Sequence, residues 1–112
     1  MKKIAHNKLI RDNIPAIIQA AGKTCSIKTL DEQQYIAELK AKLIEESLEV
    51  QHAENQAQVI SELADVYEVL EALQTALKID STEIQRKQME KANINGKFSK
   101  KLFLEYVRED KM

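Results

Sequence analysis

From Asp31 to Ala53, and again from Ala57 to Lys78, the chain contains neither proline nor glycine, and Leu, Ala, Glu, Lys and Gln dominate both runs. These side chains lose little freedom in a helix, so each run is expected to be helical, with Asp31 placed to cap the first. Glu54-Asn55-Gln56 lies between them. It is expected to reverse the chain, because Asn tolerates the left-handed conformation that ends a helix. The two runs therefore make an αα-hairpin.

At about 100° per residue, Ile36, Leu39, Leu43 and Val50 form a stripe on the first helix, and Val59, Leu63, Val66, Leu70, Leu73 and Leu77 one on the second. With these stripes facing each other, Glu46 and Glu49 flank the first on the side where Glu62 and Asp65 flank the second, so all four carboxylates share one edge. A turn centred between Asn55 and Gln56 sets Glu49 level with Glu62 and Glu46 level with Asp65. Helices about 8 to 10 Å apart bring such groups close enough to raise some of their pKa values unless a cation sits among them. Oxygen-only ligation selects a hard ion, magnesium (Mg2+) first and manganese second. The other reading is a solvated acidic face; two matched pairs favour the cation.

Glu46-Ser47-Leu48-Glu49 followed by Glu62-Leu63-Ala64-Asp65 resembles the Glu-x-x-Glu to Glu-x-x-Asp signature of the MazG-type all-α nucleotide pyrophosphohydrolases. That group includes phosphoribosyl-ATP pyrophosphohydrolase and the dimeric dUTPases. A second stretch, Asn7-Lys8-Leu9-Ile10-Arg11-Asp12-Asn13-Ile14-Pro15, is similar to the Asn-Lys-Leu-Val-Arg-Asp-Lys-Ile-Pro segment of a phosphoribosyl-ATP pyrophosphohydrolase-like subgroup. On its own it reads as a short helix capped by Asp12, with Pro15 in its first turn and Gly22 as its stop. In the light of the resemblance, Lys8 and Arg11 contact phosphate or a partner subunit, or else tie the N-terminus down.

Asp80-Ser81-Thr82-Glu83 is a strong helix start, and Asn95-Gly96 the matching stop. Lys87 and Lys91 lie four residues apart on one face and Lys97 follows the Gly turn. Read structurally they are a solvated face; beside the resemblance they form a basic lip that steadies the pyrophosphate leaving group. Asn95-Gly96-Lys97-Phe98 departs from the Arg-Gly-Gly-Phe that usually closes the family, leaving Lys97 as the available charge.

The resemblance and the acidic edge together imply one reaction: magnesium-dependent hydrolysis of a nucleoside triphosphate, or a phosphoribosyl-ATP-like nucleotide, between its α and β phosphates. Glu46, Glu49, Glu62 and Asp65 are the expected metal ligands, and Glu46 and Glu49 are counted with the catalytic groups. Glu45 either orients the water, acts as general base or lies on the surface. A different class stays open, a non-catalytic helical dimeric module that binds a nucleotide or a protein. A plain coiled coil fits poorly, since heptads do not continue past Lys78.

The remaining features set bounds. With 112 residues the chain is expected to be one domain, 1–112. Its 17 basic and 18 acidic side chains create no overall field for a nucleic-acid polymer or a membrane surface. Cys25 is the single cysteine and no apolar run suits a signal peptide or a membrane span, so a cytoplasmic location is expected. His6 and His52 are expected to have surface roles. Ala37, Ala41, Ile44 and Leu48 form a second apolar stripe on the first helix. An identical subunit would cover it, giving a homodimer or homotetramer; the alternative is a monomer whose N-terminal helix fills the groove. Ser26 to Leu30 and Phe98 to Val107 carry β-favouring residues. The expected architecture is all-α: a helical hairpin forming a four-helix-bundle-type core, completed across a dimer, with a small peripheral two-stranded β element.

Overall fold

The computed structural model describes residues 2–110. Within them lie the helices α1 (Ile14–Ala20), α2 (Glu32–His52), α3 (Gln56–Ala76) and α4 (Ser81–Asn95). The chain divides into two compact units, Met1–Ile79 and Asp80–Met112.

Pro15 sits in the first turn of α1, where its missing N–H costs nothing. Asn13, not Asp12, takes the N-cap position, and no side chain caps this helix. Gly22 closes it at φ 78°, with its own N–H on the Gln19 carbonyl and the Lys23 N–H on that of Ile18. That closure requires a left-handed residue, which glycine supplies without strain.

Asp31 caps α2 by accepting from the Gln34 N–H at 2.8 Å. Asn55 works differently from the expectation: its backbone is extended (φ −136°, ψ 169°), and its side chain caps α3 by accepting from the Gln58 N–H at 2.9 Å. The Gln58 side chain accepts in return from the Glu54 N–H at 2.8 Å. A short polar side chain thus starts the second helix rather than ending the first. At the far end Lys78 is left-handed (φ 57°), its N–H on the Thr75 carbonyl and the Ile79 N–H on that of Gln74.

These caps fix the register of the hairpin. His52 and Gln56 are equidistant from Glu54, so residues at equal sequence distance from Glu54 stand level on α2 and α3. Leu39 and Val69 are one such pair. They are also the buried apolar side chains among the described residues, 3% and 8% exposed. Val69 lies outside the stripe read from the sequence. Val59, Val66 and Leu73 are half-buried beside it, whereas Leu63, Leu70 and Leu77 are exposed. The inner face of α3 is therefore rotated from the leucine row toward the valines.

On α2, Ala37, Ala41, Ile44 and Leu48 are exposed as the second stripe requires, and α1 does not cover Ile44 or Leu48. No strand forms among the described residues: Ser26 to Leu30 and Phe98 to Val107 belong to different units and carry none. A two-stranded ribbon without further support is marginal in water, which explains why β-favouring composition was not enough.

In the second unit, Asp80 caps α4 by accepting from the Thr82 N–H at 3.0 Å. Bonds from the Thr82 backbone and then its side chain hold the Asp80 carboxyl below its ordinary value. Its stabilising effect is therefore present above the ordinary carboxylate range and is lost as pH falls through the lowered pKa. Gly96 ends the helix at φ 84°. Ile84, Met89, Ile94 and Phe98 are exposed, and the Arg108 guanidinium lies 6.0 Å from the Tyr106 ring centre. Among the described residues, no helix is long and apolar enough to cross a membrane.

Because the hairpin buries so few side chains, Leu39→Ala is expected to cost about 2 to 3 kcal/mol. The exposed substitution Ser47→Ala should stay within about 0.5 kcal/mol. Urea unfolding followed by circular dichroism measures both.

Candidate metal centre

The register that sets Leu39 against Val69 also sets Glu46 against Glu62, each eight residues from Glu54. Asp65 is one helical turn farther along α3 on the same face, about 4.5 Å in height. Carboxylate oxygens of Glu46, Glu62 and Asp65 lie within 4.8 Å of one another. All three groups are half-buried beside the seam, and the Glu46 side chain is 12% exposed.

Glu49 stands apart. It is five residues from Glu54, about a turn nearer the reversal than Glu62, and it is exposed. The pairing expected from sequence, Glu49 with Glu62 and Glu46 with Asp65, assumed a reversal about one and a half residues later. Moving that centre to Glu54 shifts the register by about three residues, about 4.5 Å or most of a turn, and brings Glu46 opposite Glu62. Three of the four expected ligands thus converge, and Glu49 is the one outside.

The charges respond to this crowding. Partial burial, then the neighbouring Asp65, Glu49 and Glu46 carboxylates, raise Glu62 above the ordinary carboxylate value. Two cations relieve the rest. Arg11 donates from Nη2 to Asp65 Oδ1 at 2.6 Å, with Nη1 3.8 Å from Glu68 Oε1. Lys42 Nζ lies 3.7 Å from both Glu45 and Glu46. The exposed pairs that Arg11 makes contribute about 0.2 to 1 kcal/mol each. Among the described residues, no cation pairs with Glu62.

Lys42 and Glu68 were not anticipated. Lys42 was legible in principle, since it precedes Glu45 by three residues and Glu46 by four on one helix face. Glu68 continues the Glu62 and Asp65 row at three-residue spacing. Arg11 was singled out, yet its partner, 54 positions away, could not be read. Lys8 is exposed, as are Lys87, Lys91 and Lys97 in the second unit, where Lys87 pairs with Glu90 at 3.3 Å. Cys25 is a free, exposed thiol, and His6 and His52 are also exposed.

A groove of about 430 Å³, whose lining includes Tyr35, Glu68, Glu71 and Thr75, shares Glu68 with the Arg11 pairing. The carboxylate cluster offers oxygen donors only, the chemistry that a hard divalent cation such as magnesium or manganese prefers over zinc. The donor set therefore fits the ion expected from the sequence.

A stretch of 47 residues is 47% identical to an uncharacterized protein of Mycolicibacterium smegmatis, covering 42% of this chain and 48% of that protein. The chain thus spans about half the length of the curated relative it matches. No protein-family model matches the chain, and no solved structure does.

With its folded pKa raised, Glu62 binds its proton more tightly in the folded state. Stability is then lost as pH rises from the ordinary carboxylate value through the raised one. In metal-free buffer, Glu62→Gln should therefore raise the melting temperature near neutral pH, and the gain should shrink on acidification. Thermal melts across a pH series measure it.

Proposed function

We propose that the protein hydrolyses a nucleoside triphosphate, or a phosphoribosyl-ATP-like nucleotide, at the α–β phosphate bond, releasing the monophosphate and pyrophosphate. The observation that carries this reading is the convergence of Glu46, Glu62 and Asp65 from two helices within 4.8 Å. The motif resemblance of these residues, and that of Asn7 to Pro15, supports the same reaction class.

In this reading Glu46, Glu62 and Asp65 hold magnesium, with manganese able to replace it. When bound, the ion neutralises the polyphosphate and activates a water. Glu49 and Glu45, both exposed, are the candidates to orient that water and take its proton. Lys8, in the same unit as the cluster, attracts phosphate. The groove beside Glu68 is the candidate seat for the nucleoside, with Tyr35 supplying an aromatic ring. A cytoplasmic location accompanies this reading.

The exposed stripe of Ile44 and Leu48 on α2, with Ile60, Tyr67 and Leu70 on α3, supports assembly into a homodimer or homotetramer that completes a four-helix-bundle-type core. The hairpin alone buries too little to be self-sufficient. Sedimentation should show a dimer or larger, and Ile44→Glu should shift it toward monomer; a wild-type monomer at micromolar concentration would refute the assembly.

One observation favours a second reading. Arg11 and Lys42 already neutralise much of the acidic edge, as a non-catalytic binding module would require. Pyrophosphate release from a panel of canonical and modified triphosphates and phosphoribosyl-ATP separates the two. The enzyme reading expects magnesium-dependent release that Glu46→Gln abolishes and chelation removes, with a smaller loss, about 10-fold or more, for Glu49→Gln. Inertness toward every substrate would favour the binding module.

A further inference from the structure

Three features make Arg11 unlike the other charges at the acidic edge. It is the partner closest to the cluster, at 2.6 Å from Asp65 Oδ1. It comes from a segment without helix or strand that precedes α1, not from either hairpin helix. Its side chain is 58% exposed, and its second contact, to Glu68, is loose at 3.8 Å. A charge so placed is held by electrostatics and little else, and can leave without disturbing the hairpin core at Leu39 and Val69.

We infer that Arg11 is a resident counter-ion that occupies Asp65 while no divalent cation is bound, and that cation binding displaces it and frees the segment ahead of α1. This rests on the metal-site reading above. Guanidinium and divalent cation seek the same carboxylate, and each repels the other at this range. Arg11 Nη2 already occupies Asp65 Oδ1 at 2.6 Å, and Asp65 is one of the three carboxylates that would hold the cation, so the two compete for one group. Lys42 is not the group that leaves, because it is half-buried on α2, 3.7 Å from its partners, and fixed by its helix. Coupling of this kind is reciprocal: whatever Arg11 gains from Asp65, the cation must overcome. The freed guanidinium, planar and always charged, is then available to the phosphates of an incoming nucleotide.

The inference and the metal site fail differently. Titration calorimetry with magnesium or manganese alone, on wild type, Arg11→Gln and Glu62→Gln, reads the first. Removing the guanidinium should tighten cation binding by about two- to fivefold, and Glu62→Gln should weaken it severely. Hydrogen–deuterium exchange of wild type supplies a second readout, with amides of residues 8–13 expected to exchange faster when the cation is present. If Arg11→Gln leaves affinity unchanged or weakens it, or the segment becomes more protected, Arg11 is not displaced and the inference is overturned while the site stands. If neither wild type nor Arg11→Gln binds the cation, or Glu62→Gln binds as wild type does, the metal-site reading falls and the inference with it.

Discussion

Three carboxylates held within 4.8 Å beside a helical seam repel one another, and the charges around them in the first unit oppose that repulsion. Arg11 answers at Asp65 and Lys42 at Glu46. Glu62, between them, has neither, and its proton is held more tightly for it. The hairpin has little packing with which to absorb such a penalty, since its buried centre consists of Leu39 against Val69.

The thin centre and the exposed faces belong to one description. Small valines on α3 meet α2, and the bulkier Leu63, Leu70 and Leu77 are left outside with Ile60 and Tyr67. Ile44 and Leu48 do the same on α2. Apolar side chains repeated along two helices are not the scattered exposure that a soluble surface tolerates. In the second unit Phe98, Leu102 and Phe103, which follow α4, are exposed as well.

Much of this was legible in the residues. Helix positions followed from the breaker-free runs and from Asp31, Asp80, Gly22 and Gly96, each of which acts locally. The register was harder, because Asn55 is suited both to ending a helix and to starting one, and the choice moves every partner across the seam. Which apolar row faces inward was also undetermined: leucine every seventh residue and valine beside it are equally hydrophobic, and only the partner helix selects between them. Of the acidic cluster, Glu46, Glu62 and Asp65 are legible in helical geometry, and Glu49 falls outside it because the reversal centres on Glu54. The link from Arg11 to Asp65 spans 54 positions. No periodicity encodes such a contact.

The reversal is short: Ala53, Glu54 and Asn55 separate the two helices, and Asn55 and Gln58 bind it from the far side. It acts as a vernier between two graduated rods. One residue added or removed there would turn α3 by about 100° and slide it by about 1.5 Å against α2. Glu62 and Asp65 would then swing away from Glu46 with no acidic residue altered. A substitution along either rod alters one contact, whereas a change in the count of residues between them alters every contact across the seam.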